Sequence, residues 1–206
     1  MGIRVITPPA SEPVTLAEVK TFVRIDGTTD ATANMADDAL LASLLTSARE
    51  EAENITRRAF LPTVLELSLG KFPRGNMDFI ELPRPPLISV SSVAYVDTAG
   101  VTQTMDPTFY TTASPSDGIP DVLFLVFRSW PATALVPSAV RIRYTAGWPD
   151  AASVPENIKT WIKLRTATLW ANRESFIAGN NTVGAVEMPG RFLDGLLDRW
   201  RIMEVA

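Results

Sequence analysis

Proline partitions this chain. Between Val14 and Leu61 there is no proline and a single glycine, Gly27, whereas twelve prolines fall from Pro62 to Pro155. Proline has no amide hydrogen and a fixed φ, so it interrupts helix interiors and central strands but is tolerated in turns and on sheet edges. The outer segments are therefore free to be helical, and the middle one has to be built from short strands and turns. The length of 206 residues suits one large domain or two small ones. Hydrophobic residues at 46% supply a real core, and charged residues at 20% are too few for a disordered, solvating chain.

The first helix is expected from Thr15. Thr15-Leu16-Ala17-Glu18 is a capping-box pattern, in which the hydroxyl and the carboxylate each take an orphan amide N–H. Leu16, Val19, Phe22 and Val23 follow at helical spacing, and Gly27 with the Thr-rich stretch after it ends the element. A longer helix is expected over residues 35–59. Asp37 and Asp38 sit in its first turn, and Leu41, Leu44, Leu45, Ala48, Ala52, Ile55 and Ala59 form its apolar stripe. Glu50, Glu51, Glu53, Arg57 and Arg58 fall mostly off that stripe and read as a wet face, with Glu53 and Arg57 at i,i+4 spacing. Near the other end, Pro155 opens a helix whose inner face is Ile158, Trp161, Ile162, Leu169 and Phe176. After the loop at residues 179–184, residues 191–203 read as a short amphipathic helix weakened at Gly195 by about 1 kcal/mol relative to Ala.

From Pro62 the apolar period changes to two. Leu65, Leu67 and Leu69 alternate with Glu66 and Ser68, and Val140-Arg141-Ile142-Arg143-Tyr144 alternates likewise. Phe79-Ile80-Glu81-Leu82 reads as a strand, and residues 89–96 and 101–105 read as a hairpin around Asp97-Thr98-Ala99-Gly100. The apolar run at residues 122–127 reads as a strand buried on both faces. About six short strands imply a small antiparallel sandwich or barrel. The predicted fold class is α+β. A helical bundle formed by both chain ends (residues 1–61 and 150–206) carries an inserted β-domain at residues 62–149.

Function classes fall away on composition. The chain has no Cys and no His. Structural zinc sites, Ser-His-Asp triads and Cys-His dyads are thus excluded, and any catalysis would run on carboxylates, Lys, Tyr or a carboxylate-bound hard metal. The formal net charge of -4 argues against a body held to nucleic acid by a general basic surface. No segment reaches the ~20 apolar residues that span a bilayer, and Met1 to Pro9 does not resemble a signal peptide, so a soluble protein acting where it is made is expected.

Few clusters offer chemistry. Glu50, Glu51 and Glu53 resemble a carboxylate site, but Arg49, Arg57 and Arg58 beside them make a solvated helix face the simpler reading. Gly179 to Gly184 has the outline of a phosphate loop, yet Ala185 and Val186 stand where Lys and Ser or Thr are needed. Arg141 and Arg143, with Arg128, could touch a phosphate backbone, but the polar face of a strand is the simpler reading, since alternation alone demands polar residues there. Asp97, Asp106, Asp117 and Asp121 lie in loops of the middle segment. Paired carboxylates of a glycoside hydrolase are the catalytic reading, and Asx turns beside Gly or Pro are the structural one. The final segment, with Leu196-Leu197-Asp198-Arg199-Trp200-Arg201, suits docking onto a partner groove as well as folding back on its own domain.

An ordered set of motifs adds to this. It begins with Ile6-Thr7-Pro8-Pro9 and Glu12-Pro13-Val14-Thr15-Leu16-Ala17-Glu18-Val19-Lys20, then Asp37-Asp38 leading into Ser47-Ala48-Arg49-Glu50 and Ala52-Glu53. Leu82-Pro83-Arg84-Pro85-Pro86-Leu87-Ile88-Ser89-Val90-Ser91-Ser92-Val93 follows, with Tyr95-Val96-Asp97 and Gly100. Trp130-Pro131, Val140-Arg141-Ile142-Arg143-Tyr144-Thr145-Ala146-Gly147-Trp148, Val154-Pro155-Glu156-Asn157-Ile158-Lys159 and Asn172-Arg173-Glu174 complete it. The set resembles the head–tail connector (adaptor) family of tailed bacteriophages, prophages and gene transfer agents, in the branch with an inserted β-domain.

The resemblance implies a structural, non-catalytic subunit without cofactors or metal. Twelve or so copies form a ring beneath the portal protein, at the head–tail interface of a virion assembled in the bacterial cytoplasm. The ring extends the channel for double-stranded DNA, without sequence specificity, and presents a lower face to a stopper or other head-completion or tail protein. In such proteins the C-terminal segment commonly reaches the portal, which implies Phe192, Leu196, Leu197, Trp200 and Arg201 as portal contacts. Glu50, Glu53, Arg57 and Arg58 are the implied contacts between subunits. A tail-completion or baseplate subunit is the alternative within virions, and the carboxylate-dependent hydrolase the alternative outside structural proteins.

Overall fold

The computed structural model describes residues 1–24, 31–73, 79–114, 119–126, 129–171 and 195–202, with backbone alone for 31–36. The chain divides into two compact units. One comprises Met1–Ser11, Arg57–Asp150 and Ile202–Ala206, and the other Glu12–Thr56 and Ala151–Arg201. With three α-helices and two antiparallel sheets among the described residues, the fold is mixed α+β.

The helical unit contains α1 (Leu16–Val23), α2 (Ala31–Thr56) and α3 (Glu156–Ala171). The capping box forms as its residues require. The Thr15 hydroxyl accepts from the Glu18 amide at 3.2 Å, and the Glu18 carboxylate accepts from the Thr15 amide at 2.8 Å. Arg24, in the left-handed region at φ 56, closes α1. Val19 of α1, Leu41, Leu45, Ala48 and Ala52 of α2, and Ile158, Trp161, Ile162 and Thr166 of α3 are buried. The small side chains of Ala48 and Ala52 leave α2 room to pack against α3, its principal partner. Phe22, expected on the inner stripe of α1, is 43% exposed.

α2 stops at Thr56, three residues before its expected end, because Arg57 turns left-handed at φ 58. Ala59 is buried, but in the apolar core of the other unit. The expected terminal helix is also different. In its described part, a turn leads into one 3-10 turn at Asp198–Trp200, and residues 191–194 and 203 lie outside the described residues.

The β unit holds β1 (Gly2–Thr7), β2 (Thr63–Leu69), β3 (Phe79–Leu82), β4 (Leu87–Val96), β5 (Thr102–Thr104), β6 (Tyr110–Ala113), β7 (Asp121–Leu125) and β8 (Val140–Ala146). One sheet has the order β1-β2-β8-β4-β5 and the other β3-β7-β6, every neighbouring pair antiparallel. Inward rows such as Leu67–Ile142–Val93 on the first sheet share one core with Ile80, Leu82 and Leu123 of the second. Phe72 stacks on Trp130 at 4.6 Å and meets Tyr95 edge-on at 5.6 Å in the same core. The hairpin turn forms at Asp97, whose Oδ1 accepts from the amides of Ala99 and Val101, with Gly100 at φ 83.

Among the described residues eight strands stand where about six were expected, because β1 and β6 were not anticipated. β7 is central in its sheet, yet Leu123 is buried while Val122, Phe124 and Leu125 are half-buried. It has one face on the core, not two, because that sheet covers the core from a single side.

Candidate assembly surfaces

The carboxylates weighed as catalytic are engaged by backbone. Besides its turn, Asp97 binds the Gln103 side chain at 2.9 Å, which holds its carboxyl below the usual carboxylate range. Asp106 Oδ1 accepts from the Thr108 amide at 2.9 Å, and the buried Asp121 accepts from the Leu87 amide at 2.6 Å. Asp117 lies outside the described residues. Among the described residues no group of three or more acidic side chains is arranged to hold a metal ion.

The expected subunit contacts on α2 and just beyond it separate into two kinds. Glu50 is exposed, at 64% for its side chain, and Arg57 is exposed just past the helix end. Glu53 and Arg58 are buried. Glu53 pairs with Arg49 at 2.8 Å, and Arg49, itself buried, also binds Glu12 at 2.7 Å and approaches Glu50 at 3.6 Å. Arg49 is thus the hub of an internal ion cluster, where the sequence pattern suggested a solvated face. Glu51 pairs with Arg165 of α3 at 2.7 Å, Glu18 with Lys163 at 3.7 Å, and Lys20 with Asp38. Arg58 lies over the Trp148 ring, 6.0 Å from its centroid.

In the C-terminal segment Leu196, Trp200 and Arg201 are half-buried and Leu197 is fully buried. Arg199 lies over the Trp200 ring at 5.3 Å, and Arg201 pairs with Asp198 at 3.2 Å. Phe192 lies outside the described residues, as does the loop at residues 179–184.

On the outer face of the five-stranded sheet, Arg4, Glu66 and Arg143 form one cross-strand row. Glu66 accepts from Arg4 at 2.9 Å and from Arg143 at 3.0 Å. The Arg143 hydrogen bond, joined by the charge of Arg4, holds the Glu66 carboxyl below its usual range against the effect of burial. Arg141 is exposed two residues earlier on β8, and Arg128 lies outside the described residues. Alternation alone places both β8 arginines outward, and Glu66 neutralises much of the row.

One surface escaped sequence reasoning. β1 is an edge strand on which Ile3 and Val5 are 40% and 46% exposed, next to Met1 at 78%. At the opposite edge, β5 borders a groove of about 350 Å³ lined by Tyr95, Thr104, Met105, Phe109, Leu125 and Pro131, among others. The alternation Ile3-Arg4-Val5 was the available signal for β1.

Residues 13–104 match the family described as phage gp6-like head-tail connector protein. The match spans α1, α2 and the strands β2 to β5. Among solved structures, a chain of the virion of a native gene transfer agent particle superposes with a TM-score of 0.74 at 22% identity, covering 100% of this chain and 98% of that one. A chain from the neck of an empty gene transfer agent particle, computed with C6 symmetry, gives 0.73 at 24% identity with the same coverage. One from the neck of a native particle, computed with C12 symmetry, gives 0.69 at 22% identity, again over 100% and 98%. These likenesses establish a shared fold over the whole chain. No curated protein matches the chain.

Proposed function

We propose, from the match of residues 13–104 to the head–tail connector family, that this chain is a ring-forming adaptor of that family at the neck of a phage or gene transfer agent particle. A connector of this family is a structural protein, not an enzyme. In this reading twelve copies, the symmetry under which one similar neck was solved, close beneath the portal protein. The ring extends the channel for double-stranded DNA and offers its lower face to a stopper or other head-completion or tail protein. The family match carries the proposal, and the fold shared with neck chains over the full length supports it. A net charge of -4 suits a wall past which DNA slides without being held. The helical unit acts here as a small bundle and the two facing sheets as a sandwich.

Within that ring Glu50 and Arg57 are the exposed contacts between subunits, and the buried Glu53 and Arg58 set the surface from beneath. Leu196, Trp200 and Arg201 reach the portal with Phe192, and Leu197 anchors the segment. The test is the mass of the purified chain, alone and then mixed with the portal protein of the same genome. A ring-sized complex that appears with portal supports the reading, and no association under either condition overturns it. The portal contact is tested by Trp200→Ala with Arg201→Glu. Portal binding should fall at least about tenfold, or 1.4 kcal/mol, while the thermal unfolding of the free chain is retained; unchanged binding removes these residues from the interface.

A further inference from the structure

We infer that adjacent copies join through their β units, with β1 of one copy adding as a parallel strand beside β5 of the next. The inference rests on the ring reading and specifies one of its contacts. β1 and β5 are the two edges of the five-stranded sheet, and each edge strand leaves alternate backbone N–H and C=O groups without a strand partner. The two edges also differ in chemistry. β1 presents Ile3 and Val5, unusually exposed for large aliphatic side chains on an inward row. That row continues through Leu65 and Leu67, which are fully buried. β5 presents instead a groove walled by Tyr95, Met105, Phe109, Leu125 and Pro131.

A strand added beside β5 keeps the inner face of the sheet inner. Its aliphatic side chains then lie on the same side as Gln103, which pairs with Tyr95 on the inward row, and so point toward this groove. One edge supplies what the other lacks. A closed ring built from heterologous contacts requires two unlike, complementary surfaces on each subunit. Each edge is then used once per subunit, and no apolar edge is left open to aggregate.

Strand direction follows from counting. Four antiparallel steps separate β1 from β5, so the two edges of one copy run the same way. A neighbour in a twelve-fold ring is turned by only about 30°, so β1 of the next copy still runs with β5. The contact is therefore parallel, by the β-strand addition seen in peptide recognition. With β5 only Thr102–Thr104 long, the backbone bonds are few, and insertion of Ile3 and Val5 into the groove supplies the apolar part.

The absence of Cys from the chain makes the test clean. Two double variants of the full chain, Ile3→Cys with Gln103→Cys and Val5→Cys with Gln103→Cys, cover the two registers that bring inner-face residues side by side. All three positions are exposed, so folding should be retained. Within one copy the edges are four strand spacings apart, about 19 Å, too far for a bridge. Any disulfide therefore joins two copies. The assembled ring of each variant is oxidised and run on a denaturing gel. At least one pair should give a ladder of covalent multimers that collapses on reduction, whereas Arg4→Cys with Gln103→Cys, on opposite faces, should not. Rings that form with neither inner pair cross-linking overturn this contact and leave the ring reading standing. Failure of the unmodified chain to form any ring, alone or with portal, overturns both. As a second measure, Ile3→Asp with Val5→Asp should weaken ring assembly about tenfold or more with the thermal unfolding of the free chain unchanged; undiminished assembly counts against the contact.

Discussion

Replacing Arg49 with Met should be among the most damaging single changes on α2. The Arg49 side chain is 6% exposed, and its guanidinium lies 2.7 Å from Glu12 and 2.8 Å from Glu53, whose side chain is 7% exposed. Two unit charges about 4 Å apart attract by roughly 4 kcal/mol at an effective dielectric of about 20. Desolvation of all three groups offsets much of that in the native protein, so the intact cluster adds little net stability. Met fills the volume of the stem but removes the cation that the buried Glu53 shares with Glu12. Breaking a buried pair from one side costs about 3–5 kcal/mol. Urea unfolding followed by circular dichroism at 222 nm reads the helices directly, and Arg49→Met should lose that amount. Adding Glu53→Leu should restore part of it, because Leu takes away the buried carboxylate that has lost its bond to Arg49. A single-variant loss below about 1 kcal/mol, the worth of an exposed pair, would refute the argument, as would a double variant no better than the single.

Three further outcomes follow from local geometry. Gly147 has φ 126, and a Cβ there would overlap the Leu61 carbonyl group, so Gly147→Ala should cost about 3 kcal/mol or more, read as a lowered melting temperature. Thr15→Ala removes the cap of α1 and should cost about 1 kcal/mol. It should also let the Glu18 carboxyl rise toward its ordinary value of 4.5 in a carboxyl NMR titration, since the Thr15 hydrogen bonds are the main cause of its depression. Glu66 has a carboxyl held below its usual 4.5, so its contribution is present above the unfolded value and is lost as pH falls through the lower folded one. Glu66→Gln should therefore be less stable than the parent at neutral pH, with the gap closing in melts taken below the folded pKa; a gap independent of pH would show that Glu66 acts by shape alone.

What was legible in the sequence was what depends on near neighbours. The capping box links residues three apart, and the turn at Asp97 closes within four. β8 was readable because Val140, Ile142 and Tyr144 alternate strictly with arginines and thus mark a sheet with one wet face. The misread elements depend on distant partners. Arg49 looks like any surface arginine until Glu12, 37 positions earlier, is brought against it. β1 is a short run before Pro8 and Pro9, and only pairing with β2, some sixty residues on, makes it a strand. β6 carries three polar or small residues, Thr111, Thr112 and Ala113, with no buried position to betray it.

The assembly surface is a harder case still, because it is not a property of one chain. A catalytic site concentrates unusual residue types at one place, and the absence of Cys and His already thinned that possibility here. A ring contact only requires that one edge of a subunit fit the other edge of its neighbour, and each half is made of ordinary residues. Ile3 and Val5 fall in a short apolar run before Pro8 and Pro9, and the residues walling the β5 groove fall in and around a hairpin. Their incongruity appears only when burial is known, since β1 repeats the alternation of the interior strands but lacks a second neighbour to cover it. A large aliphatic pair kept exposed on an edge is an aggregation hazard unless something regularly covers it. On the ring reading, the economical cover is the next copy of the same chain.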